Sequence, residues 1–410
     1  MSTDTTPATD STSPSELLES AVALRDELRE DQEPGEVRGT YSESIHEKFS
    51  QAGFYTLLVP RRYGGLEVDL TTYYQVMIEL SRGNPGAGWC LTLGSSHALM
   101  AGSHFDQEAQ DELFADGWFC APHTGVGPGG TLTSDGEGWS VEGRWEYSSG
   151  VPYSNWFMGM APTMVDGEPG PPLHFAIPRS AVSVVDNWGG DLVLGMRSSG
   201  SNGVIVEKQT IPARWAVAAD WHEGFDPTAP TPGFLLHGNP MYLGRATATY
   251  HTSIAAVVVG AAKAALDEYE PQLRTRKSPV PPWGPRIDDP HLLSIYGKAQ
   301  MLTEAAEALL TTVTDRYTEY CQAWADGGEP FSNDKAIALY AMAQQAGALA
   351  CDAVELMFRS AGTSASARGS RLARYFRDVS MYRGHQSSNR EIYWERFAGV
   401  RLGLRDSLLG

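Results

Sequence analysis

Near the end of the chain a loop of small residues, Ala361-Gly362-Thr363-Ser364-Ala365-Ser366, precedes Arg374-Tyr375-Phe376-Arg377-Asp378 and then Gly384-His385-Gln386. Small residues let a backbone approach a flat ligand or a phosphate. Guanidinium groups pair with anions, and an imidazole exchanges a proton near neutral pH. The same composition also suits a solvated, charged helix face. A second imidazole, His97, closes the run Gly88-Trp89-Cys90-Leu91-Thr92-Leu93-Gly94-Ser95-Ser96-His97, where a histidine inside a helix can equally be structural. Gly143-Arg144-Trp145-Glu146-Tyr147-Ser148-Ser149-Gly150 ends a β-prone stretch with two hydroxyls, and Ser-Gly is also common in plain turns. Arg274 and Arg276, in Leu273–Pro279, carry the planar fork that suits phosphate, or they end a helix in solvent.

Other patterns exclude chemistry. Gly125-Val126-Gly127-Pro128-Gly129-Gly130 fits G-x-G-x-x-G, but that motif needs a helix next to present its N-terminus to pyrophosphate. Pro128 interrupts it, and Thr131–Tyr147 reads as strand. With no other dinucleotide fingerprint, the chain is not expected to bind NAD(P)H or to reduce a flavin itself. Cys90, Cys120, Cys321 and Cys351 are far apart and form no C-x-x-C, so neither a zinc site nor a redox dithiol is expected. They read as reduced, buried thiols of a cytoplasmic protein. A net charge of −19 with no Lys/Arg run argues against nucleic acid and anionic membranes as partners. The apolar run Ile254–Ala262 is too short to span a bilayer, and residues 1–14 have no apolar core, so neither a membrane span nor a signal peptide is expected.

The elements that must position these residues fall into three blocks. After a tail expected to be disordered (1–14), helical spacing covers Ser15 to Glu30, Thr40–Ala52, Leu70–Ser81, Gly88–Met100 and Gln107–Phe114, with a loop at Pro34-Gly35. From Gly117 short β-prone pieces replace it: Trp139–Tyr147, Trp156–Ala161, Leu173–Ile177, Val182–Val185 and Gly203–Gln209. From Met241 helices return: Ala248–Glu270, a long one opened by Asp289-Pro290, a third capped at Ser332-Asn333-Asp334, and a fourth through Arg374–Gln386. The expectation is an α+β chain with a helical domain (15–116), an antiparallel β domain (117–234) and a C-terminal four-helix bundle (235–410).

That order, with Gly53-Phe54 … Pro60-Arg61-Arg62-Tyr63-Gly64-Gly65, Trp188, Gly195-Met196-Arg197-Ser198-Ser199-Gly200-Ser201 and Arg377-Asp378, resembles the acyl-CoA dehydrogenase superfamily from about residue 15 onward. In its dehydrogenases a glutamate past the Arg-Asp removes a substrate proton. Here that position falls on Gln386, which cannot act as a base, with His385 beside it. The imidazole, the Gly143–Gly150 run and the Gly88–His97 run resemble instead the reduced-flavin-dependent (group D) monooxygenases of the same fold. That group includes the oxygenase components of 4-hydroxyphenylacetate hydroxylase and dibenzothiophene monooxygenase.

The resemblance implies reduced FMN as cofactor, with FAD possible. It implies flavin contacts from Ser148, Ser149, Trp188, Arg197, Ser199 and Ser201, with the Ser149 hydroxyl near flavin N5. Arg274 or Arg276 would reach the flavin phosphate of a neighbouring subunit in a homotetramer. His97, His385 and Ser149 would be catalytic. Oxygen would add at flavin C4a, and the (hydro)peroxyflavin would pass one oxygen atom to a small aromatic or polycyclic substrate. A separate NAD(P)H:flavin reductase would supply the reduced flavin, and no metal is implied. An N-oxygenase of amines or amino sugars, a true acyl-CoA dehydrogenase, and a non-catalytic helical scaffold are the alternatives.

Overall fold

The fold is seen in a computed structural model that describes residues 13–124, 129–218, 226, 228–245, 247–278, 281 and 283–404. Seven helices open it: α1 (Pro14–Ala23), α2 (Arg25–Arg38), α3 (Glu43–Gln51), α4 (Leu70–Gly83), α5 (Pro85–Ser95), α6 (His97–His104) and α7 (Gln107–Leu113). Ser13 and Glu16 form a reciprocal capping box on α1, so the last two residues of the expected tail are part of a helix start; the rest of that tail, 1–12, lies outside the described residues.

Two helix expectations need correction. The break falls at Leu24, and α2 runs through Pro34-Gly35 instead of looping there. Its buried stripe, Leu28, Gln32 and Gly35, has i, i+4, i+7 spacing, and that packing outweighs the hydrogen bond a proline forfeits. The expected helix Gly88–Met100 is two helices. Asn84 caps α5 with its carboxamide, Pro85 opens it, and a turn at Ser96 makes His97 the first residue of α6.

The middle of the chain forms β1 (His123–Thr124), β2 (Gly130–Ser134), β3 (Gly138–Trp145), β4 (Trp156–Val165), β5 (Glu168–Pro178), β6 (Ser183–Val185), β7 (Gly203–Pro212) and β8 (Ala216–Ala218). They make one sheet in the order β6-β7-β3-β2-β4-β5-β8, with β1 on β4. It is mixed rather than antiparallel: β1 and β2 both run parallel to β4. Alternation along a strand shows which face is buried but not the direction of its neighbour. The glycine-rich run Gly125–Gly130 lies outside the described residues at 125–128, and its last residue opens strand β2 rather than a helix.

After α8 (Pro232–His237) come α9 (Thr247–Thr275), α10 (Pro290–Ala325), α11 (Asn333–Ser360) and α12 (Arg371–Arg383). Asp289 caps α10 and Ser332 caps α11, as their sequence signals indicate. A helix not expected from the sequence, α13 (Arg390–Arg401), packs on α11. The buried, alanine-rich α9 packs against α4, α5, α10, α11 and α12. A Cβ at Gly260 would lie 2.5 Å from the Ile78 carbonyl oxygen, so that glycine sets how closely α9 approaches α4. Among the described residues no helix is long and apolar enough to cross a membrane.

Candidate active site

A cavity of about 610 Å³ opens where α5, α9, α11 and α12 meet the sheet. One wall is a chain of hydroxyls. The Trp89 indole N–H donates to Ser149 Oγ at 3.1 Å, Ser149 Oγ lies 2.7 Å from Ser201 Oγ, and Ser201 Oγ lies 2.6 Å from Ser199 Oγ. Three hydroxyl protons serve two links, so one is left to point at a ligand. All three serines are buried, and Trp89 and Trp188 add aromatic surface to the same wall. Trp188 is fixed by its own N–H to the Met196 carbonyl at 3.0 Å. Flat aromatic surface with a row of hydroxyls suits a heteroaromatic ring that carries donors and acceptors along one edge, as a flavin does.

The loop carrying Ser199 and Ser201 is held from α12. The Met196 N–H donates to Asp378 Oδ1 at 2.6 Å, and Arg377 donates to the Leu194 carbonyl at 3.2 Å while pairing with Glu36 at 2.8 Å. A Cβ at Gly195 would sit 2.2 Å from the Arg377 carbonyl oxygen, so only glycine lets the loop lie against the helix. Arg377-Asp378 therefore does not line the cavity. It positions the loop that does.

Imidazoles form the facing part. His97 Nδ1 lies 2.7 Å from the Ala121 carbonyl oxygen, which only accepts, so Nδ1 carries the proton and Nε2 keeps a lone pair. His385 is the converse: the Ser387 N–H donates to its Nδ1 at 3.1 Å, so a neutral ring carries its proton on Nε2. Burial pushes both down to about 4, which keeps them neutral near pH 7. The site thus holds one acceptor and one donor of imidazole type. His385 stands edge-on to Trp89, ring centres 5.6 Å apart, which ties the imidazole to the serine wall. Gln386 also lines the cavity, and among the described residues no aspartate or glutamate does.

Sequence reasoning missed several lining groups. His123 stacks on Tyr250 at 5.5 Å, lies 5.3 Å from the His97 ring, and has Nε2 2.6 Å from His174 Nδ1. His251 packs against Tyr340 and Tyr393, and Arg396 of α13 lines the same end. These residues come from β1, α9, α11 and α13, and no local motif links them.

Several expected contacts lie elsewhere. Ser148 is buried against Thr124, 3.2 Å between hydroxyls, and does not line the cavity. Arg197, in the turn between the buried Met196 and Ser198, donates to the Val193 carbonyl and pairs with Asp191. Arg274 pairs with Glu270 at 2.7 Å on the surface. Arg276 donates to Ser364 at 2.9 Å and lines a separate cavity of about 590 Å³ with Arg29, Arg368, Arg371 and Arg374. Among the described residues no cluster could hold a metal ion.

The chain matches the acyl-CoA dehydrogenase N-terminal domain over residues 17–122 and the acyl-CoA dehydrogenase C-terminal domain over residues 252–390. It belongs to the acyl-CoA dehydrogenase superfamily, in the branch of flavin-dependent monooxygenases. It is similar to the flavin-dependent monooxygenase oxygenase subunit HsaA of Rhodococcus jostii (strain RHA1), 26% identical over 386 residues, which are 93% of this chain and 97% of the relative. Its fold resembles that of XiaF from a Streptomyces species, solved with FADH2 and glycerol, at a TM-score of 0.84 and 22% identity over 96% of this chain and 98% of that one. It also resembles dibenzothiophene monooxygenase TdsC from Paenibacillus sp. A11-2, solved with FMN and indole, at a TM-score of 0.77 and 18% identity over 95% and 98%.

Proposed function

We propose that this chain is the oxygenase component of a two-component system: it takes reduced flavin from a separate NAD(P)H:flavin reductase and inserts one atom of O2 into a small aromatic or polycyclic molecule. One observation carries the reading. The cavity brings the serine chain, His97 and His385 together, and among the described residues no carboxylate lines it. A dehydrogenase of this fold needs a base that removes a carbon-bound proton, and a neutral imidazole held at about 4 is a poor one at pH 7. The same imidazoles suit hydrogen bonding to oxygen in a site from which water is excluded.

Ser149, Ser199 and Ser201 would hold the flavin ring edge, with Trp188 against it. When bound, reduced flavin supplies the electrons that activate O2. His97 Nε2 would accept a hydrogen bond from a substrate hydroxyl or N–H, and the His385 Nε2–H would donate one to an oxygen atom in the same space. The cofactor is FMN or FAD; both occur with solved relatives of this fold. Arg276 and the arginines of the second cavity would serve a flavin phosphate only if that flavin belonged to another copy, because they line no part of the first cavity. This is the reason to propose a homotetramer.

The test is to mix the protein anaerobically with reduced FMN or FADH2 and then with oxygen. Flavin reoxidation should be slower than for free flavin. With an aromatic hydroxylation substrate present, product should form at the expense of H2O2. Reoxidation at the free-flavin rate, with no binding of either flavin, would overturn the reading.

A further inference from the structure

The part of the cavity lined by α9 and α13 is polar in a way that oxygen chemistry does not require. His251, on α9, is 6% exposed and lines the cavity, yet its Nδ1 has no hydrogen-bond partner. Beside it, Tyr393 and Arg396 lie three residues apart on one face of α13, with the guanidinium carbon 5.4 Å from the Tyr393 ring centre. Among the described lining residues Arg396 is the one Lys, Arg, Asp or Glu side chain.

Its neighbours make that arginine unusual. Arg383 pairs with Asp352 at 2.6 Å and Glu355 at 3.2 Å, and Arg401 pairs with Asp334 at 3.5 Å. Arg390 covers Trp394 on the outer side of the helix. Arg396 faces the cavity and has no ion pair among the described residues. The chain carries −19 overall and had carboxylates to spare for this position. A guanidinium stacked on a tyrosine, without a carboxylate partner and facing a largely aromatic space with no other described charged side chain in its lining, is a recognition site for an anion.

We propose that Arg396, stacked on Tyr393, forms an anion subsite, and that the substrate is an aromatic acid bound with its carboxylate toward α13 and its ring toward the serine chain. This deepens the functional reading above, since it names a substrate class for the same cavity. It would also place the charged end of the substrate away from the group that is oxygenated.

Binding of a panel of arylacetates, indole-3-acetate and 4-hydroxyphenylacetate among them, would be compared with binding of the matching amides by calorimetry, with and without reduced FMN. At least one acid should bind about 10- to 100-fold more tightly than its amide, the range for a charge-assisted hydrogen bond. Arg396→Gln should abolish that preference and leave amide binding unchanged, while Arg396→Lys should keep part of it. Amides that bind as well as the acids, a preference that survives Arg396→Gln, or failure of every acid to bind would each overturn the subsite. Circular dichroism identifies a variant that fails to fold, and the wild-type acid-to-amide ratio decides the question without it. If acids are preferred but neither flavin binds, the monooxygenase reading fails and the subsite stands. If reduced flavin is handled as proposed but acids have no advantage, the reverse holds.

Discussion

Asp378 should make the protein less stable as the pH rises. Its carboxyl is wholly buried where α12 meets the loop of Met196, and burial pushes it from 3.8 up to about 7, against the pull of the Met196 N–H, Arg377 and Arg374. Between those values the folded chain holds a proton that the unfolded chain has lost. Stability from this group is therefore full below about 4 and falls through about 7, by about 1.4 kcal/mol per pH unit, or about 4 kcal/mol over the roughly three units. Asp378→Asn keeps an oxygen for the Met196 N–H and cannot ionise. Taking the asparagine as equal to the protonated carboxyl, equilibrium urea unfolding, followed by tryptophan fluorescence from pH 5 to 8, should find the variant ahead by about 1.5–2 kcal/mol at pH 5 and by about 4 kcal/mol at pH 8. Other titrating groups, such as His97, are common to both proteins and cancel in the difference. Parallel stability curves would show that Asp378 is not held as the geometry requires. Asp378→Ala, which removes the oxygen, should release the loop and weaken flavin binding at every pH.

The site sets other outcomes. His385→Ala should leave the fold and reduced-flavin binding intact but uncouple oxygen use, with H2O2 rising and product falling by about 10²–10⁴-fold; unchanged product and peroxide would remove His385 from the chemistry. Ser149→Ala should strand the Trp89 N–H and cost about 1–3 kcal/mol in urea unfolding along with weaker flavin binding. The pure chain should not oxidise NADH in the presence of FMN, and an unrelated flavin reductase should restore turnover. Light scattering at micromolar concentration should give four times the mass of one chain, and a monomer would contradict the role proposed for Arg276.

How much of this the residues declare depends on the range of the interaction. Asp289-Pro290 and Ser332 announce their helices because a cap is a contact within three residues. The interior of α2 does not: Pro34-Gly35 reads as a loop until Gly35 is seen against Ser198, a partner from the distant connection between β6 and β7. The parallel pairing of β2 with β4 is hidden for the same reason. In the site, Ser149 and His97 stand out because each belongs to a run of eight or ten residues. His123 and Arg396 have no such context. His123 is legible only as a scarce residue type, one of ten histidines, and Arg396 only through the absence of a carboxylate around it. An ionic partner that is missing leaves no mark in a sequence.

The cavity's chemistry turns on what is neutral. A reactive oxygen donor in an enclosed site is vulnerable to stray protons, and each titratable group in the wall is a route for one. Here burial lowers His97, His123, His251 and His385 alike, and the carboxylate expected at the dehydrogenase position is a glutamine. The clamp residue Asp378, which could ionise, is kept behind the Met196 loop and is itself shifted toward the neutral form. What remains is directional hydrogen bonding: a donor on His385, an acceptor on His97 and one spare hydroxyl proton along the serine chain. The permanent charge of Arg396 does not compromise this, because a guanidinium gives up no proton at any pH the protein will meet. It can hold an anion at one end of the cavity without offering acid to the other.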